Sequence, residues 1–236
     1  MIESEVDYET IGNPVNPYYS SMGLKSIPLD EALKLNDKTR YRHAAHCLLY
    51  CKIIDHSGYF GLGQVRFDGL IGFPGGVVGE NDEPLSTLDH LLIGLRRELA
   101  EEINYISHED NSGFVHVSSY LREDINLNSE TNSSCNVHHF FMKQITHLEF
   151  INCELNHTRS IHFPLESVGI FRIPLIDPNF IDAQSDYRFY SIRGTFLINF
   201  LSHKFAGTAK GQLFDSLVRL NCMSPNYLAK LKEMLN

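Results

Sequence analysis

The chain has no basic surplus. Asp and Glu number 29 against 20 Lys and Arg, and the net charge is −9 with a pI near 5.7. A global positive field for nonspecific nucleic-acid binding is therefore excluded, and any such contact must be local. Cysteine is sparse and odd in number: the five residues Cys47, Cys51, Cys135, Cys153 and Cys222 show no zinc-type spacing. They read as reduced, mostly buried thiols of an intracellular protein, which excludes a disulfide framework. No apolar run approaches membrane-spanning length, and the first residues carry no signal-peptide pattern. The expectation is a soluble protein with no membrane partner, located in the nucleus (nucleolus or nucleoplasm), the cytoplasm or both. Internal repeats and low-complexity segments are absent too. A length of 236 residues suits one domain with a sizeable core, plus an extension.

Residues 1–25 are polar and carry Asn13-Pro14, Asn16-Pro17 and several tyrosines without periodicity. That composition predicts a poorly ordered N-terminal extension, drawn to residue 35, with the folded domain over 36–236. His43–Ile54 is apolar and β-prone, and Tyr59–Phe67 follows it. The turn Asp68-Gly69 leads into a strand over Leu70–Val78. Ser86 is a plausible cap for a helix in which Leu91, Leu92, Leu95, Leu99 and Ile103 recur at helical spacing. Phe114–Tyr120, Val137–Ile145 and Val168–Leu175 are expected strands. Thr146 begins a short helix, and helices are expected over Thr208–Leu220 and Ser224–Leu235. Strands and helices mixed without βαβ repetition favour an α+β fold, an α/β/α sandwich on a mixed central sheet.

The chemistry concentrates in Arg97-Glu98-Leu99-Ala100-Glu101-Glu102, downstream of Gly72-Phe73-Pro74-Gly75-Gly76. Glu98, Glu101 and Glu102 stand at i, i+3 and i+4, one face of a helix. Three carboxylates sharing a face repel each other, and a strong local cation reverses that sign. Hard oxygen ligands suit Mg²⁺ or Mn²⁺. Taken alone, the cluster reads first as a solvated, charge-rich helix face. The glycine turn before it favours the cation site.

The glycine turn and the acidic run together resemble the Nudix box, with Gly76 followed by Arg97-Glu98-Leu99-Ala100-Glu101-Glu102-Ile103-Asn104-Tyr105. Two departures are visible. The stretch from Gly76 to Arg97 is long and holds no glutamate at the usual distance, where Asp89 falls instead. Asn104 replaces a glycine, a mild change because Asn tolerates the left-handed conformation of a helix end. Arg42-His43-Ala44-Ala45-His46-Cys47-Leu48-Leu49-Tyr50, Gln64-Val65-Arg66-Phe67-Asp68-Gly69, His139-Phe140, Leu165-Glu166 and Gln212 extend the resemblance over roughly residues 36–220. The branch resembled is that of small-nucleolar-RNA decapping enzymes and inosine diphosphatases.

The resemblance implies a metal-dependent pyrophosphohydrolase acting on capped RNA, on nucleoside diphosphates such as inosine diphosphate, or on both. It implies Mg²⁺ or Mn²⁺ held by Gly75 (through its carbonyl), Glu98, Glu101 and Glu102. Glu101, Glu102 and Glu166 would be catalytic, with Glu166 a further ligand or general base. His43, Arg66, Phe73 and Gln212 would bind substrate, and a homodimer is implied as well. Each has a plain alternative: Glu166 a surface carboxylate, His43 a satisfied core histidine, Arg66 a strand-end cation, Phe73 a core plug, Gln212 a polar helix-surface residue. A histidine expected in the loop after Tyr120 is missing, and Glu123 or Asp124 stands where an oxygen ligand might replace it. The branch also includes noncatalytic adaptors or RNA-binding proteins. Those lose acidic residues of the box, whereas all three are present here.

Overall fold

The apolar stretch from His43 becomes a twelve-residue strand, β2 (Tyr41–Lys52), and the sheet assembles around it. The computed structural model describes residues 16–54, 58–80, 83–106, 111–123, 135–178 and 196–235. Ahead of β2 come α1 (Asn16–Ser21), β1 (Leu24–Ser26) and α2 (Leu29–Ala32). After it come β3 (Tyr59–Arg66), β4 (Ile71–Gly72), β5 (Gly75–Val78) and α3 (Leu88–Ile103). The rest is β6 (Phe114–Glu123), β7 (Cys135–Gln144), α4 (His147–Asn156), β8 (Ser167–Leu175), α5 (Phe196–Leu201), α6 (Ala209–Leu220) and α7 (Pro225–Glu233). The sheet runs β1-β6-β7-β2-β3-β4, with β5 also paired to β2 and β8 to β3. The β2–β7 pair is parallel, whereas β2 is antiparallel to β3 and β5.

Side chains alternate across β2 and feed two cores. Ala45, Cys47, Leu49 and Cys51 pack with α3 residues Leu91, Leu95 and Leu99 and α4 residues Phe150 and Cys153. Leu48 and Tyr50 face the other way, into a cluster with Leu201 of α5, Leu213 and Phe214 of α6, and Leu228 of α7. This is the expected α/β/α sandwich on a mixed sheet.

Three expectations are adjusted. The strand predicted over Leu70–Val78 is broken into β4 and β5, because Pro74 offers no N–H to a ladder. The chain leaves β3 there and joins β2, with the Pro74 carbonyl accepting from the Cys47 amide at 2.9 Å. The cap of α3 is Thr87, one residue after Ser86, and its hydroxyl accepts from the His90 amide. Asn104 does close that helix in the left-handed conformation, at φ 55°. Of the expected extension, residues 1–15 lie outside the described residues. From Asn16 the chain is helix and strand, with β1 hydrogen-bonded to β6. Tyr19 is fully buried, stacks on Tyr120 at 3.8 Å between ring centroids, and donates to Asp215 Oδ2 at 2.9 Å.

Asp215 gives that N-terminal contact a pH dependence. Burial pushes its pKa up to about 7, against the hydrogen bonds from Tyr19 and Tyr120. A raised carboxyl pKa stabilises the fold below its unfolded value, and that contribution is lost as pH rises toward 7. In Asp215→Asn the amide oxygen still accepts from both tyrosines. We expect its stability, by chemical denaturation between pH 5 and 7, to fall less steeply than wild type, by about 1 kcal/mol per pH unit. Parallel slopes would contradict the assignment.

Candidate active site

Glu102 sits on the buried face of α3, 4% exposed, and its Oε2 accepts from the Gly75 amide at 2.8 Å and from Gln64 Nε2 at 3.2 Å. The same Gln64 Nε2 donates to the Phe73 carbonyl at 3.2 Å, so one side chain of β3 fixes both the acid and the β4–β5 break. Gly75 has φ +131°, and a Cβ there would collide with the Ala45 carbonyl oxygen. A Cβ on Gly76 would collide with Glu98 Oε2. The Gly-Gly pair is thus a cradle that lets two carboxylates reach the backbone.

Electrostatics sharpen the picture. Burial pushes the Glu102 pKa up to about 8, and Glu166 and Glu98 push the same way against the two hydrogen bonds. Burial also raises Glu98, with Glu101 and Glu166 adding repulsion against the pull of Arg97. Arg97 Nη1 donates to Glu98 Oε1 and to Glu101 Oε2, each at 2.8 Å. Its Nε donates to Glu83 Oε1 at 2.8 Å and its Nη2 to the Val77 carbonyl at 3.0 Å. Glu83, seven residues after Gly76 in the long spacer, is therefore the spacer glutamate that pairs with Arg97. Asp89, which stands at the usual sequence distance, instead accepts from Asn111 Nδ2 at 3.2 Å.

Glu166 reaches the carboxylates from a turn pinned to α3: the His162 amide donates to the Glu101 carbonyl, and the Glu166 amide to the His162 carbonyl, both at 3.0 Å. Its Oε2 lies 3.4 Å from His162 Nδ1. Among the described residues no three His, Cys, Asp or Glu side chains already converge as a ligand set. The donor chemistry still fits a divalent cation. Carboxylates crowd one buried corner, Arg97 is the cation that binds Glu98 and Glu101, and Glu102 is held by neutral N–H groups only. Of the two acidic residues in the loop where the histidine is missing, Asp124 lies outside the described residues, and for Glu123 only the backbone is described.

A cavity of about 210 Å³ opens on the opposite face of the sheet, between the strands and the start of α6. Its lining includes His46, Arg66, Phe73, Arg122, His138 and Gln212. Among the described residues the lining holds no Asp or Glu, in a chain of charge −9. Gln212 Nε2 is buried and has no hydrogen-bond partner, a donor that a ligand acceptor would satisfy. Arg66 pairs with Asp68 at 3.2 Å.

His43 is corrected. It shares a face of β2 with Ala45 and Cys47, away from this cavity, and is 1% exposed. Its ring bonds the Leu35 carbonyl at 2.7 Å and His139 at 2.9 Å, and burial lowers its pKa. The histidine of β2 that lines the cavity is His46, three residues on and on the other face. Burial, then His138 and Arg66, lower its pKa to about 3, so it is a neutral donor and acceptor. The two-residue period of a strand carries the signal that separates His43 from His46. Arg122 and His138, also missed, stand on neighbouring strands (Arg122 opposite Asn136, His138 opposite Tyr120), and only the pairing of β6 with β7 brings them together.

Comparison with known proteins agrees with this geometry. The family described as "Nudt16-like: U8 snoRNA-decapping enzyme-like" matches residues 43–223. The U8 snoRNA-decapping enzyme of Mus musculus is 33% identical over 219 residues, covering 89% of this chain and 96% of that one. The Tudor-interacting repair regulator protein of Mus musculus is 30% identical over 217 residues, covering 88% and 86%. A solved structure, the NUDIX domain of Shewanella oneidensis NrtR complexed with ADP ribose, gives a TM-score of 0.46 at 15% identity, covering 82% of this chain and 99% of that one. A match running from the cavity strand β2 through the acidic helix to the end of α6 settles the relationship: the chain belongs to the Nudt16-like, U8 snoRNA-decapping enzyme-like family and is a Nudix hydrolase.

Proposed function

We propose that the protein hydrolyses a pyrophosphate linkage carried by a nucleotide, in capped RNA and in free nucleoside diphosphates such as inosine diphosphate. The observation that carries this reading is Glu102, a carboxylate buried against the Gly75 amide with no side-chain cation of its own among the described residues. A noncatalytic adaptor has no use for so costly a burial. The 30% identity to a Tudor-interacting protein gives the adaptor reading its support, and the intact trio Glu98, Glu101 and Glu102 opposes it.

In this reading Glu98, Glu102 and the Gly75 carbonyl hold Mg²⁺ or Mn²⁺, with Glu101 assisting. The ion supplies charge neutralisation at the phosphoryl oxygens, which otherwise repel a nucleophile. The cavity takes the nucleoside: Phe73 offers a ring to the base, Gln212 Nε2 and neutral His46 offer hydrogen bonds, and Arg66 offers its planar fork to phosphate. Water attacks one phosphorus, a new P–O bond forms as the bridging P–O bond breaks, and Glu166 takes the proton that water loses. The leaving phosphate carries the electron pair. Arg97 touches no substrate; it positions Glu98 and Glu101 and ties the spacer through Glu83.

Glu102→Gln keeps an oxygen for the Gly75 amide and removes the charge that a cation needs. We expect kcat with Mn²⁺ or Mg²⁺ to fall by at least about a hundredfold with an unchanged circular-dichroism spectrum. Near-wild-type turnover would overturn the reading. For Arg66→Ala we expect KM to rise about tenfold, with a smaller change in kcat, because the fork binds phosphate in ground and transition states alike. An unchanged KM would remove the phosphate role.

A further inference from the structure

Phe67 follows the phosphate-binding arginine, is 62% exposed, and belongs to none of the hydrophobic clusters among the described residues. An isolated exposed Phe is common and needs no explanation. Its surroundings set Phe67 apart. The Arg66 guanidinium lies 5.5 Å from its ring centroid while the same side chain lines the nucleoside cavity. The Phe67 amide donates to the carbonyl of Glu166 at 3.1 Å, which ties the ring's backbone to the carboxylate proposed as base. The turn beyond is stiff as well. Arg66 N donates to the Leu70 carbonyl and Gly69 N to the Arg66 carbonyl, both at 2.9 Å, and Asp68 Oδ1 accepts from the Leu70 amide at 3.1 Å. Leu165, 76% exposed, precedes Glu166 and extends the apolar surface beside it.

We propose that Phe67 is a stacking platform for the nucleobase on the leaving side of the scissile pyrophosphate, which makes it a specificity residue for capped RNA. This rests on the reading of the site given above. A substrate with its first nucleoside in the cavity meets Arg66 at the rim and the carboxylates beside Gly75, and its second nucleoside emerges next to Glu166. Among the described residues, the well-exposed aromatic face beside Glu166 is that of Phe67. Every base has a π-face, so a ring on a rigid turn accepts the next nucleotide whatever its sequence. The neighbouring guanidinium can then contact both the bridging phosphate and the stacked base. A free nucleoside diphosphate has no second base and gains nothing from the ring.

The test compares a capped RNA oligonucleotide with inosine diphosphate, both at saturating Mn²⁺, on wild type, Phe67→Ala and Phe67→Trp. We expect Phe67→Ala to raise KM for the capped RNA about tenfold and leave kcat/KM for inosine diphosphate within twofold of wild type, with Phe67→Trp restoring the RNA value. Equal losses on both substrates would mean that the ring only positions Arg66, and no loss on either would mean that it contacts nothing; each overturns the proposal. Wild-type protein that cleaves inosine diphosphate but no capped RNA overturns the stacking role alone. Wild type that cleaves neither overturns the functional reading as well.

Discussion

The hydrogen bond from the Gly75 amide to Glu102 is the constraint on which the site depends. It joins the acidic helix to the point where the chain leaves one strand partner for another, and it is made inside the protein. Moving that amide requires moving Pro74, whose carbonyl holds Cys47 in β2, and Gln64, which grips Glu102 and the Phe73 carbonyl together. Glycine is required at both Gly75 and Gly76, because a Cβ at either collides with the groups that must come close. The carboxylate cluster is accordingly as rigid as the sheet. Its charge is concentrated where burial makes charge costly, the condition under which a divalent cation contributes most.

Much of this was legible in the sequence for a physical reason. The acidic face of α3 follows from helical spacing alone, and its apolar face (Leu91, Leu92, Leu95, Leu99 and Ile103) is buried as that spacing requires. The turn at Asp68-Gly69 and the left-handed end at Asn104 were readable from local chemistry. Less legible was whatever depends on pairing between distant segments. A nonperiodic run of tyrosines gives no sign that Tyr19 will stack on Tyr120 and bond Asp215, since neither partner is near in the chain. The same holds for Glu83, whose partner Arg97 is recognisable only once the long spacer has folded back over α3.

The two histidines of β2 show how a motif match and a physical reading differ. Both His43 and His46 lie within the stretch that carries the family resemblance, and matching by residue type alone does not separate them. Alternation does: a strand between two helical layers sends odd and even positions to opposite cores. His43 goes to the side of Ala45 and Cys47, where its ring is closed off by the Leu35 carbonyl and His139. His46 goes to the cavity. Its lowered pKa follows from burial beside His138 and Arg66, which keeps it neutral while the arginine carries the charge. Division of labour between a neutral reader and a fixed cation suits a ligand with a polar base and an anionic tail.

The cavity and the carboxylate corner lie on opposite faces of one sheet, so a ligand that used both, as proposed, would have to pass between them. Between them stand Arg66 at the end of β3 and the β4–β5 break, where Phe73 is buried in the core on the cavity side and Gly75 meets Glu102 on the other. That geometry explains why the site has no need of a basic surface. In the proposed function the anion would be met by the guanidiniums of the cavity lining and by a cation held in carboxylates, both local, in a chain that is acidic as a whole. An acidic exterior repels bulk nucleic acid, so in the proposed function a capped end would be selected by local contacts rather than by a global field. Under that proposal, specificity on the RNA side would come from uncharged contacts at the exit, because further cations there would restore the indiscriminate attraction that the composition avoids.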